Sequence, residues 1–416
     1  MHQNSIKMEN LLKFISEHAD SDVSRLILDR KKYQDIDIEL AVNCIESRRK
    51  LKGKVHEWYG NGRLIFPLKL SAEQCSSSAT GHYKSELAAR IADSERWTIA
   101  DLTGGLGVDS WFFSQKAAKV IYNEMQPVLC EAAVHNFHAL GADNIKVINS
   151  TVTAEGCLSS LLMDEESYPD IIYMDPARRG EGGKKVFLIE ECSPDVLTIK
   201  DELFKYTRHI LIKLSPMADI TMVCERLGCT CREVHVISSG GECKELLIWM
   251  DREWHDEYTV MAVEIDSESA TSTFIFKPSE EKSAVFINAQ QVDGYLFEPG
   301  KSLMKSSPFN LISQRFNIEK LGISTHYYIV KDDETVHSLK TYGKVYKILE
   351  CLPLDKRSMK DIGRRYPKSE VTARNIPMDT DTLRKKTGVT SGDDAHIFGL
   401  RSDSIGNLLL ATARTF

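Results

Sequence analysis

The residues best suited to chemistry begin with a glycine-rich turn. Residues 99–110 read Ile-Ala-Asp-Leu-Thr-Gly-Gly-Leu-Gly-Val-Asp-Ser, closing one predicted β-strand and opening a helix. Glycines let the backbone come close to a ligand, and a helix amino terminus offers N–H groups. A nicotinamide dinucleotide would suit such a turn, but Ser110 stands where its fingerprint has the third glycine. Asp101 favours a cationic or amine-bearing ligand, because a carboxylate repels a pyrophosphate.

Two further acids end predicted strands. Glu124 closes the second strand, a position from which an acid can bind both hydroxyls of a ribose. Asp175 closes the fourth strand, within the run Asp-Ile-Ile-Tyr-Met-Asp-Pro-Ala-Arg-Arg-Gly at residues 170–180. Ligands of doubly wound sheets bind at the carboxyl ends of the strands where the strand order reverses. We therefore expect Asp175, with Pro176 beside it, to face the reacting atoms.

The elements that position these residues follow from an alternation of short β-rich runs with helical stretches. The predicted strands are residues 97–102, 119–124, 145–149, 170–175 and 208–214. This alternation is typical of βαβ units around a parallel sheet. Two more β-rich runs, 233–237 and 244–250, are joined by Ser-Ser-Gly-Gly, which is too short for a crossover helix. The last two strands are therefore predicted to be antiparallel.

The flanking regions have different patterns. Apolar residues recur at helical spacing from Met1 to about Leu70, which predicts a small helical domain. A β-rich stretch, Tyr258 to Lys277, is followed by a region rich in Gly, Pro and Ser. The final segment predicts a strand, a helix, a strand, a helix and two strands, at 344–352, 359–366, 370–376, 379–386, 396–400 and 408–413. This order indicates an α+β domain at the carboxyl end.

The turn and its acids resemble the first motif and the second-strand acid of class I S-adenosylmethionine-dependent methyltransferases. The resemblance covers about Lys84 to Asp251 and implies a Rossmann-like sheet of seven strands with S-adenosyl-L-methionine as cofactor. It implies that Glu124 binds the ribose and that residues 76–84 cap the cofactor. Many members have an Asp after the third strand to bind the adenine amine; Asn149 and Ser150 stand there in this chain. The candidate cofactor residues are Asp101, Thr103, Gly104, Gly105, Gly107, Asp109, Glu124, Met125, Asn149 and Ser150.

The Asp175-Pro176 motif is similar to the Asp-Pro-Pro-Tyr and Asp-Pro-Pro-Arg forms of nucleic-acid methyltransferases. It differs at Ala177, and Arg178 stands where an aromatic ring would stack on a flipped base. Methylation of a base nitrogen would use the Asp175 carboxylate to hold an exocyclic amine in line with the methyl group. Methylation of a pyrimidine carbon needs a Cys nucleophile, and no Cys lies beside Asp175. We therefore favour the base nitrogen.

A ribose 2′-hydroxyl is the alternative acceptor. Lys84, Asp175, Lys213 and Glu245 follow the order, and lie on the elements, of the Lys-Asp-Lys-Glu tetrad of ribose methyltransferases. Such an enzyme removes a proton from a very weak acid, usually with a lysine. Lys and Glu are common residues, so ordinary strand-end charges explain the same pattern.

Two basic segments predict contacts with RNA. Arg178, Arg179, Lys184 and Lys185 lie on a glycine-containing loop after Asp175, which suits a phosphate clamp or a solvated loop. Residues 340–386 hold 13 Lys and Arg against 6 acids, among them the candidate RNA contacts Arg364, Arg365 and Arg374. With the run 371–377, Val-Thr-Ala-Arg-Asn-Ile-Pro, this segment resembles a THUMP-like domain. The whole chain is similar to bacterial RNA methyltransferases that carry such a domain.

Composition limits the functional classes. The 416 residues carry a net charge of −7 and are 42% hydrophobic and 27% charged, as in globular proteins rather than fibres or disordered tails. Residues 340–386 carry an excess of +7, so the rest sums to about −14 and only a globally basic binder is excluded. The sequence has no apolar run of membrane-spanning length. Ten scattered Cys without a C-x-x-C pair predict reduced thiols and a cytoplasmic location.

These observations lead to one main hypothesis. The chain is predicted to be an α/β methyltransferase acting on a base nitrogen of structured RNA, either tRNA or rRNA, with no metal and no membrane partner. The predicted domains are a helical domain with the cofactor cap (1–95), the methyltransferase domain (96–255), a β-rich connecting domain (256–340) and the THUMP-like domain (341–416). An RNA-binding protein whose cofactor site is regulatory or lapsed is the alternative of another class.

Overall fold

The chain divides into two units. The computed structural model describes residues 2–153, 158–162, 167–178, 189–266 and 270–415, without the side chains of residues 2–5 and 178. The first unit comprises Met1–Arg232 and Leu246–Asp256, and the second comprises Glu233–Glu245 and Glu257–Phe416. The predicted division into four domains remains a prediction.

Helices form the amino-terminal part of the first unit, as predicted. They are α1 (His2–Glu17), α2 (Val23–Leu28), α3 (Ile38–Leu51), α4 (His56–Tyr59), α5 (Lys69–Gln74) and α6 (Ser78–Ala92). Asp22 and Asp37 cap α2 and α3 through their side chains, and Ser77 caps α6 in a reciprocal pair with Thr80. Phe14, Ile45 and Trp58 are buried in a shared core that also includes Phe112 of the following helix.

The chain between residues 98 and 251, which includes the second unit's segment Glu233–Glu245, alternates strands and helices. Its elements are β1 (Thr98–Asp101), α7 (Val108–Ser114), β2 (Lys119–Glu124), α8 (Pro127–Ala139), β3 (Ile145–Asn149), α9 (Leu158–Leu162), β4 (Ile171–Met174), β5 (Ala177–Arg178), β6 (Cys192–Ser193), α10 (Val196–Leu203), β7 (His209–Leu214), α11 (Ile220–Leu227), β8 (Cys231–Ser239) and β9 (Glu242–Asp251). The main strands run in the order β3-β2-β1-β4-β7-β9. β1, β2, β3, β4 and β7 are parallel, and β9 is antiparallel to β7.

The hairpin of β8 and β9 confirms the predicted antiparallel ending of the sheet. Its turn contains Gly240 and Gly241 at φ +62° and +78°, in the left-handed region that favours glycine. At the other end, the Asp251 amide donates to the Thr230 carbonyl (2.9 Å). With β8 the strand order is β3-β2-β1-β4-β7-β9-β8, so the seven predicted strands are all present.

After Glu257 the second unit continues with two strands, the first of which pairs with β8. The predicted β-rich stretch forms β10 (Thr259–Ile265), which is parallel to β8, and β11 (Thr271–Phe276), which is antiparallel to β10. Next come α12 (Pro278–Ser283), β12 (Ile287–Asn288), β13 (Tyr295–Pro299), α13 (Lys301–Ser306), α14 (Phe309–Phe316), β14 (Glu319–Lys320), β15 (Tyr328–Val330) and α15 (Asp333–Leu339). The sequence analysis did not predict these eight elements, because each is too short to show a clear period.

The carboxyl-terminal segment confirms the predicted α+β order. It forms β16 (Gly343–Pro353), α16 (Lys356–Arg365), β17 (Lys368–Arg374), α17 (Thr380–Thr387), β18 (Thr390–Ser402) and β19 (Gly406–Arg414). The sheet order is β12-β14-β15-β13-β16-β19-β18-β17. Leu410 and Leu409 of β19 belong to two different cores, the first with Phe398 and the second with Ile362 of α16. Successive side chains of β19 thus point to opposite faces of the strand, and both faces are buried.

Across the described parts of the chain, none of the helices combines the length and the apolar character needed to cross a bilayer.

Candidate active site

The glycine-rich turn lies between β1 and α7 and is packed against two aromatic rings. A Cβ atom on Gly104 would lie 2.2 Å from the Tyr122 ring, and one on Gly107 would lie 2.7 Å from the Phe137 ring. Gly107 also has φ +91°, which side chains rarely adopt. The Tyr122 hydroxyl donates to the Gly105 carbonyl (2.6 Å). Glycine is therefore required here by sterics, and the turn is held in one position.

Asp101 ends β1 beneath this turn. Its side chain is 1% exposed and accepts hydrogen bonds from the Ser110 hydroxyl (2.7 Å) and the Thr103 amide (3.1 Å). Burial disfavours the charged form and raises the pKa of Asp101 to about 7, although the Ser110 hydrogen bond acts in the opposite direction. A cationic group near this carboxyl would favour its ionised form. This environment suits an amine-bearing ligand.

Glu124 ends β2 on the other side of the turn. Its carboxylate accepts hydrogen bonds from the Gly105 amide (2.9 Å) and the Gln126 amide (2.8 Å). The Asn149 side chain donates to the Glu124 carbonyl (2.7 Å), which brings the end of β3 to the same place. The Ser150 carbonyl accepts from the Asn123 side chain (3.0 Å).

Met125, the next residue after Glu124, is 62% exposed. The structure thus brings the predicted cofactor residues together where β1, β2 and β3 end, at the edge where ligands of such sheets bind.

Asp109, a predicted cofactor residue, is part of a buried polar cluster with Lys84. The Lys84 ammonium is fully buried, donates to the Ser76 hydroxyl (2.6 Å) and lies 3.1 Å from an Asp109 oxygen. The other Asp109 oxygen accepts from the Tyr173 hydroxyl (2.7 Å) and from Ser76 (3.0 Å). Burial opposes ionisation of Asp109, but Lys84 and Lys213 outweigh it and lower the pKa of the carboxyl. Asp109 is therefore ionised beside Lys84.

This cluster joins three elements: α6 with the residues before it, α7, and β4. Sequence reasoning missed Tyr173, because a tyrosine in a buried strand has the same pattern as a core residue. It included Ser76 only as part of a cap over the cofactor. The structure shows that Ser76 also joins that segment to α7 through Asp109.

Asp175 and Lys213 form the second charged pair of the site. The Lys213 ammonium donates to the Asp175 carboxylate (2.6 Å), and the Asp175 amide donates to the Thr103 hydroxyl (2.6 Å). The parallel pairing of β4 with β7, with Met174 opposite Ile212, places both side chains at the same edge. The Asp175 side chain is 39% exposed and Pro176 is buried. Asp175 is thus fixed from two sides and still accessible.

The four predicted tetrad residues have different surroundings. Asp175 contacts Lys213, whereas Lys84 contacts Asp109 and Ser76. Glu245 is 3% exposed and belongs to the second unit. The structure places Lys213 against Asp175 and Lys84 against Asp109, and the tetrad as a whole stays a prediction.

The predicted RNA contacts lie partly outside the described residues. Arg179, Lys184, Lys185 and the side chain of Arg178 belong to that part of the chain. Arg364, Arg365 and Arg374 are exposed in the second unit, where Arg365 pairs with Glu350. Met359 and Ile362 of α16 are buried, while its cations Lys356, Arg357, Lys360 and Arg364 are exposed. Helix α16 thus presents positive charge to solvent.

Known proteins resemble the chain in parts and as a whole. A ferredoxin-like domain family matches residues 295–334, and a THUMP domain-like family matches residues 343–413. Uncharacterised S-adenosylmethionine-dependent methyltransferases from two strains of Mycobacterium tuberculosis, CDC 1551 / Oshkosh and ATCC 25618 / H37Rv, are 25% identical over 206 residues. That alignment covers 49% of this chain and 51% of theirs, so the chain spans about half the length of these curated relatives.

One solved structure matches nearly the whole chain. It is the crystal structure of a protein from Porphyromonas gingivalis W83, provisionally named a methyltransferase, with 27% identity and a TM-score of 0.84. The match covers 98% of both chains, so the order of domains is the same. Sequence, fold and domain order together show that the chain is similar to S-adenosylmethionine-dependent methyltransferases and carries a carboxyl-terminal THUMP-like domain.

Proposed function

We propose that the protein transfers a methyl group from S-adenosylmethionine to a base nitrogen of structured RNA. The observation that carries this proposal is the 2.6 Å hydrogen bond from the Asp175 amide to the Thr103 hydroxyl. Thr103 belongs to the glycine-rich turn, so this bond joins the proposed cofactor site to the proposed acceptor acid. The names of the relatives from Mycobacterium tuberculosis and Porphyromonas gingivalis support methyl transfer.

The cofactor fits the residues of the turn. Gly104 and Gly107 let the turn pack directly against the Tyr122 and Phe137 rings, which fixes the backbone that a ligand would contact. Asp101 offers a buried carboxyl to the cationic amine, and Glu124 stands where it can accept from ribose hydroxyls. When bound, S-adenosylmethionine supplies a methyl group activated on a positively charged sulfur. The protein then has only to position the acceptor and exclude water.

Asp175 positions that acceptor. Its carboxylate can accept a hydrogen bond from an exocyclic amine and orient the nitrogen lone pair toward the methyl group. Lys213 holds the carboxylate from one side at 2.6 Å, and Pro176 restricts the backbone after it. The nitrogen needs orientation rather than a strong base, so a fixed and accessible carboxylate is sufficient.

RNA is the proposed substrate because of the second unit. Residues 343–413 match the THUMP domain-like family, and the exposed cations of α16 can contact a phosphate backbone. The exposed Lys385 and Lys386 of α17 add to this charge. We propose tRNA or rRNA, since a domain of this kind would hold folded RNA.

A ribose 2′-hydroxyl is the second candidate acceptor. The observation in its favour is the direct contact of Lys213 with Asp175, because a lysine at this edge could remove the hydroxyl proton. The two candidates make opposite predictions for the methylated product, so one experiment separates them.

The test is to incubate the protein with isolated tRNA or rRNA and isotopically labelled S-adenosylmethionine, then digest the RNA to nucleosides. We expect the label in a base-methylated nucleoside. Label in a 2′-O-methyl nucleoside would replace the first candidate with the second. Cofactor binding measured by calorimetry is the companion experiment, and absence of binding would contradict both candidates.

A further inference from the structure

A cavity of about 390 Å³ that is broadly open to solvent lies in the first unit, at the amino-terminal edge of the sheet. Its walls come from Pro169 and Asp170 before β4, from the loop between α10 and β7, and from Arg252 after β9. The proposed cofactor and acceptor residues lie at the opposite edge. Since β7 has six residues at about 3.3 Å each, the two edges are about 20 Å apart. The cavity is therefore a site separate from the proposed active site.

Three cationic side chains line this cavity: Lys205, Arg208 and Arg252. Arg208 donates through Nε and Nη2 to the buried Asp251 (2.8 and 3.0 Å) and through Nη1 to Glu253 (2.8 Å). The two hydrogen bonds to Asp251 fix the plane of the guanidinium. Together with the bond to Glu253, they use three of the five N–H donors of Arg208. Arg208 is thus a fixed cation with donors in reserve.

The other two cations are less tightly held. Arg252 is exposed and donates to the Phe204 carbonyl (2.6 Å), which carries no net charge. Lys205 pairs with Glu202 on the protein surface. Exposed ion pairs such as Lys205–Glu202 and Arg208–Glu253 are weak and exchange readily with another anion. An incoming phosphate could therefore recruit all three cations.

Asp170 places one carboxylate in the cavity wall, where the three cations outnumber it. One of its oxygens accepts from the Thr98 amide (2.7 Å) and from the Thr98 hydroxyl (3.1 Å). Hydrogen bonds of this kind spread the negative charge and fix the carboxylate against β1.

The cavity wall also includes an aromatic residue and a proline. They are Tyr206, whose ring packs edge-on against Tyr168 with 5.1 Å between ring centres, and Pro169. Cations beside an aromatic ring are what proteins use to bind a phosphate and its base together. A cavity of this volume falls in the size range of small-ligand sites, about 300–1,000 Å³.

We propose that this cavity binds a phosphate-bearing nucleotide, with Arg208, Arg252 and Lys205 around the phosphate and Tyr206 against the base. This inference goes beyond the proposed methyl transfer and does not depend on it. The nucleotide could be a free mononucleotide or one residue of an RNA strand, since both present the same chemistry.

The test is calorimetric titration of the full-length protein with uridine 5′-monophosphate, which lacks the adenine that the cofactor site would bind. We expect a dissociation constant below about 1 mM, and binding at least about tenfold weaker in the double variant Arg252→Gln with Lys205→Gln. Lys32→Gln, at an exposed lysine of the amino-terminal helices, is the matched control and should bind normally. A second titration uses a uridine hexanucleotide without terminal phosphates. If it competes with the mononucleotide, the cavity binds a residue of an RNA strand. If it does not compete, the cavity binds the free nucleotide.

Three results would overturn the inference. The first is no binding of the mononucleotide at about 10 mM. The second is equal binding by wild type and by a folded double variant. The third is equal affinity for inorganic phosphate, which would leave no role for Tyr206. The variants change exposed side chains, and unchanged melting temperatures will show that they fold. The single variant Arg252→Gln serves the same test if the double variant is unstable.

Discussion

The Lys213 ammonium lies 2.6 Å from the Asp175 carboxylate, at the adjacent ends of β7 and β4. This ion pair stands next to the glycine-rich turn, because the Asp175 amide is bonded to Thr103. We predict that Asp175→Ala lowers the rate of methyl transfer by about a hundredfold or more, since the acceptor loses its orienting group. Cofactor affinity should change by less than about twofold, because Asp175 serves the acceptor. The control is Asp201→Asn, which changes an exposed carboxylate of α10. Full activity in Asp175→Ala would show that the acceptor site is elsewhere.

Lys213→Met separates the two candidate acceptors. If Lys213 only holds Asp175 in place, single-turnover rates should fall by about tenfold, the effect of a less well fixed carboxylate. If Lys213 removes a ribose proton, the fall should be about 10²–10⁴-fold. Lys213→Arg sharpens the comparison, because arginine can hold Asp175 but cannot act as a base. Activity in the Arg variant near that of wild type supports the base nitrogen.

The Lys84–Asp109 pair predicts an effect on stability. Lys84→Met removes the cation that lies 3.1 Å from the buried Asp109 carboxylate and leaves only Lys213 to favour its charge, so the free energy of unfolding should fall by about 3–5 kcal/mol. The double variant Lys84→Met with Asp109→Asn should recover part of this loss, because the buried charge is gone. Lys116→Met, in an exposed pair with Glu86, should cost at most about 1 kcal/mol. Urea denaturation measures all three, and equal effects at Lys84 and Lys116 would contradict the buried pair.

Asp101 predicts how cofactor affinity depends on pH. Burial raises the pKa of its carboxyl to about 7, so below that pH the group holds a proton that a cationic ligand must displace. The affinity for S-adenosylmethionine should therefore fall by about tenfold for each pH unit below 7 and level off above it. Calorimetry between pH 5.5 and 8.5, about three units around that pKa, tests this. Asp101→Asn should bind S-adenosylmethionine weakly, with an affinity that does not fall below pH 7. If the affinity of that variant still falls, another group is responsible for the pH dependence.

Replacement of Gly104 tests the steric requirement of the turn. In Gly104→Ala the new Cβ would lie 2.2 Å from the Tyr122 ring, so the turn or the ring has to move. We expect a loss of about 1–3 kcal/mol in stability and at least tenfold weaker cofactor binding. Gly53→Ala is the matched control, because nothing lies within 4 Å of its Cβ position. Normal cofactor binding by Gly104→Ala would mean that the ligand does not approach this part of the turn.

Much of the fold was predictable because its signals are local. The strands of the first unit are short apolar runs bounded by turn residues, and the Gly240–Gly241 turn fixed the direction of the last hairpin. The same holds for the carboxyl-terminal segment, where β16 to β19 and both helices occur as predicted. The short elements between residues 278 and 339 were missed, since each depends on packing with distant strands rather than on its own period.

The sequence by itself determined the strand ends on which Asp101, Glu124 and Asp175 stand, because alternating periodicity and glycine turns are properties of neighbouring residues. Only the tertiary structure decided which charged groups pair: Lys213 contacts Asp175, and Lys84 contacts Asp109. It also revealed Tyr173 in the buried cluster and the cationic cavity at the far edge of the sheet. The physical reason is that ion pairs and cavities form between residues far apart in the chain, where spacing in the sequence carries no distance information.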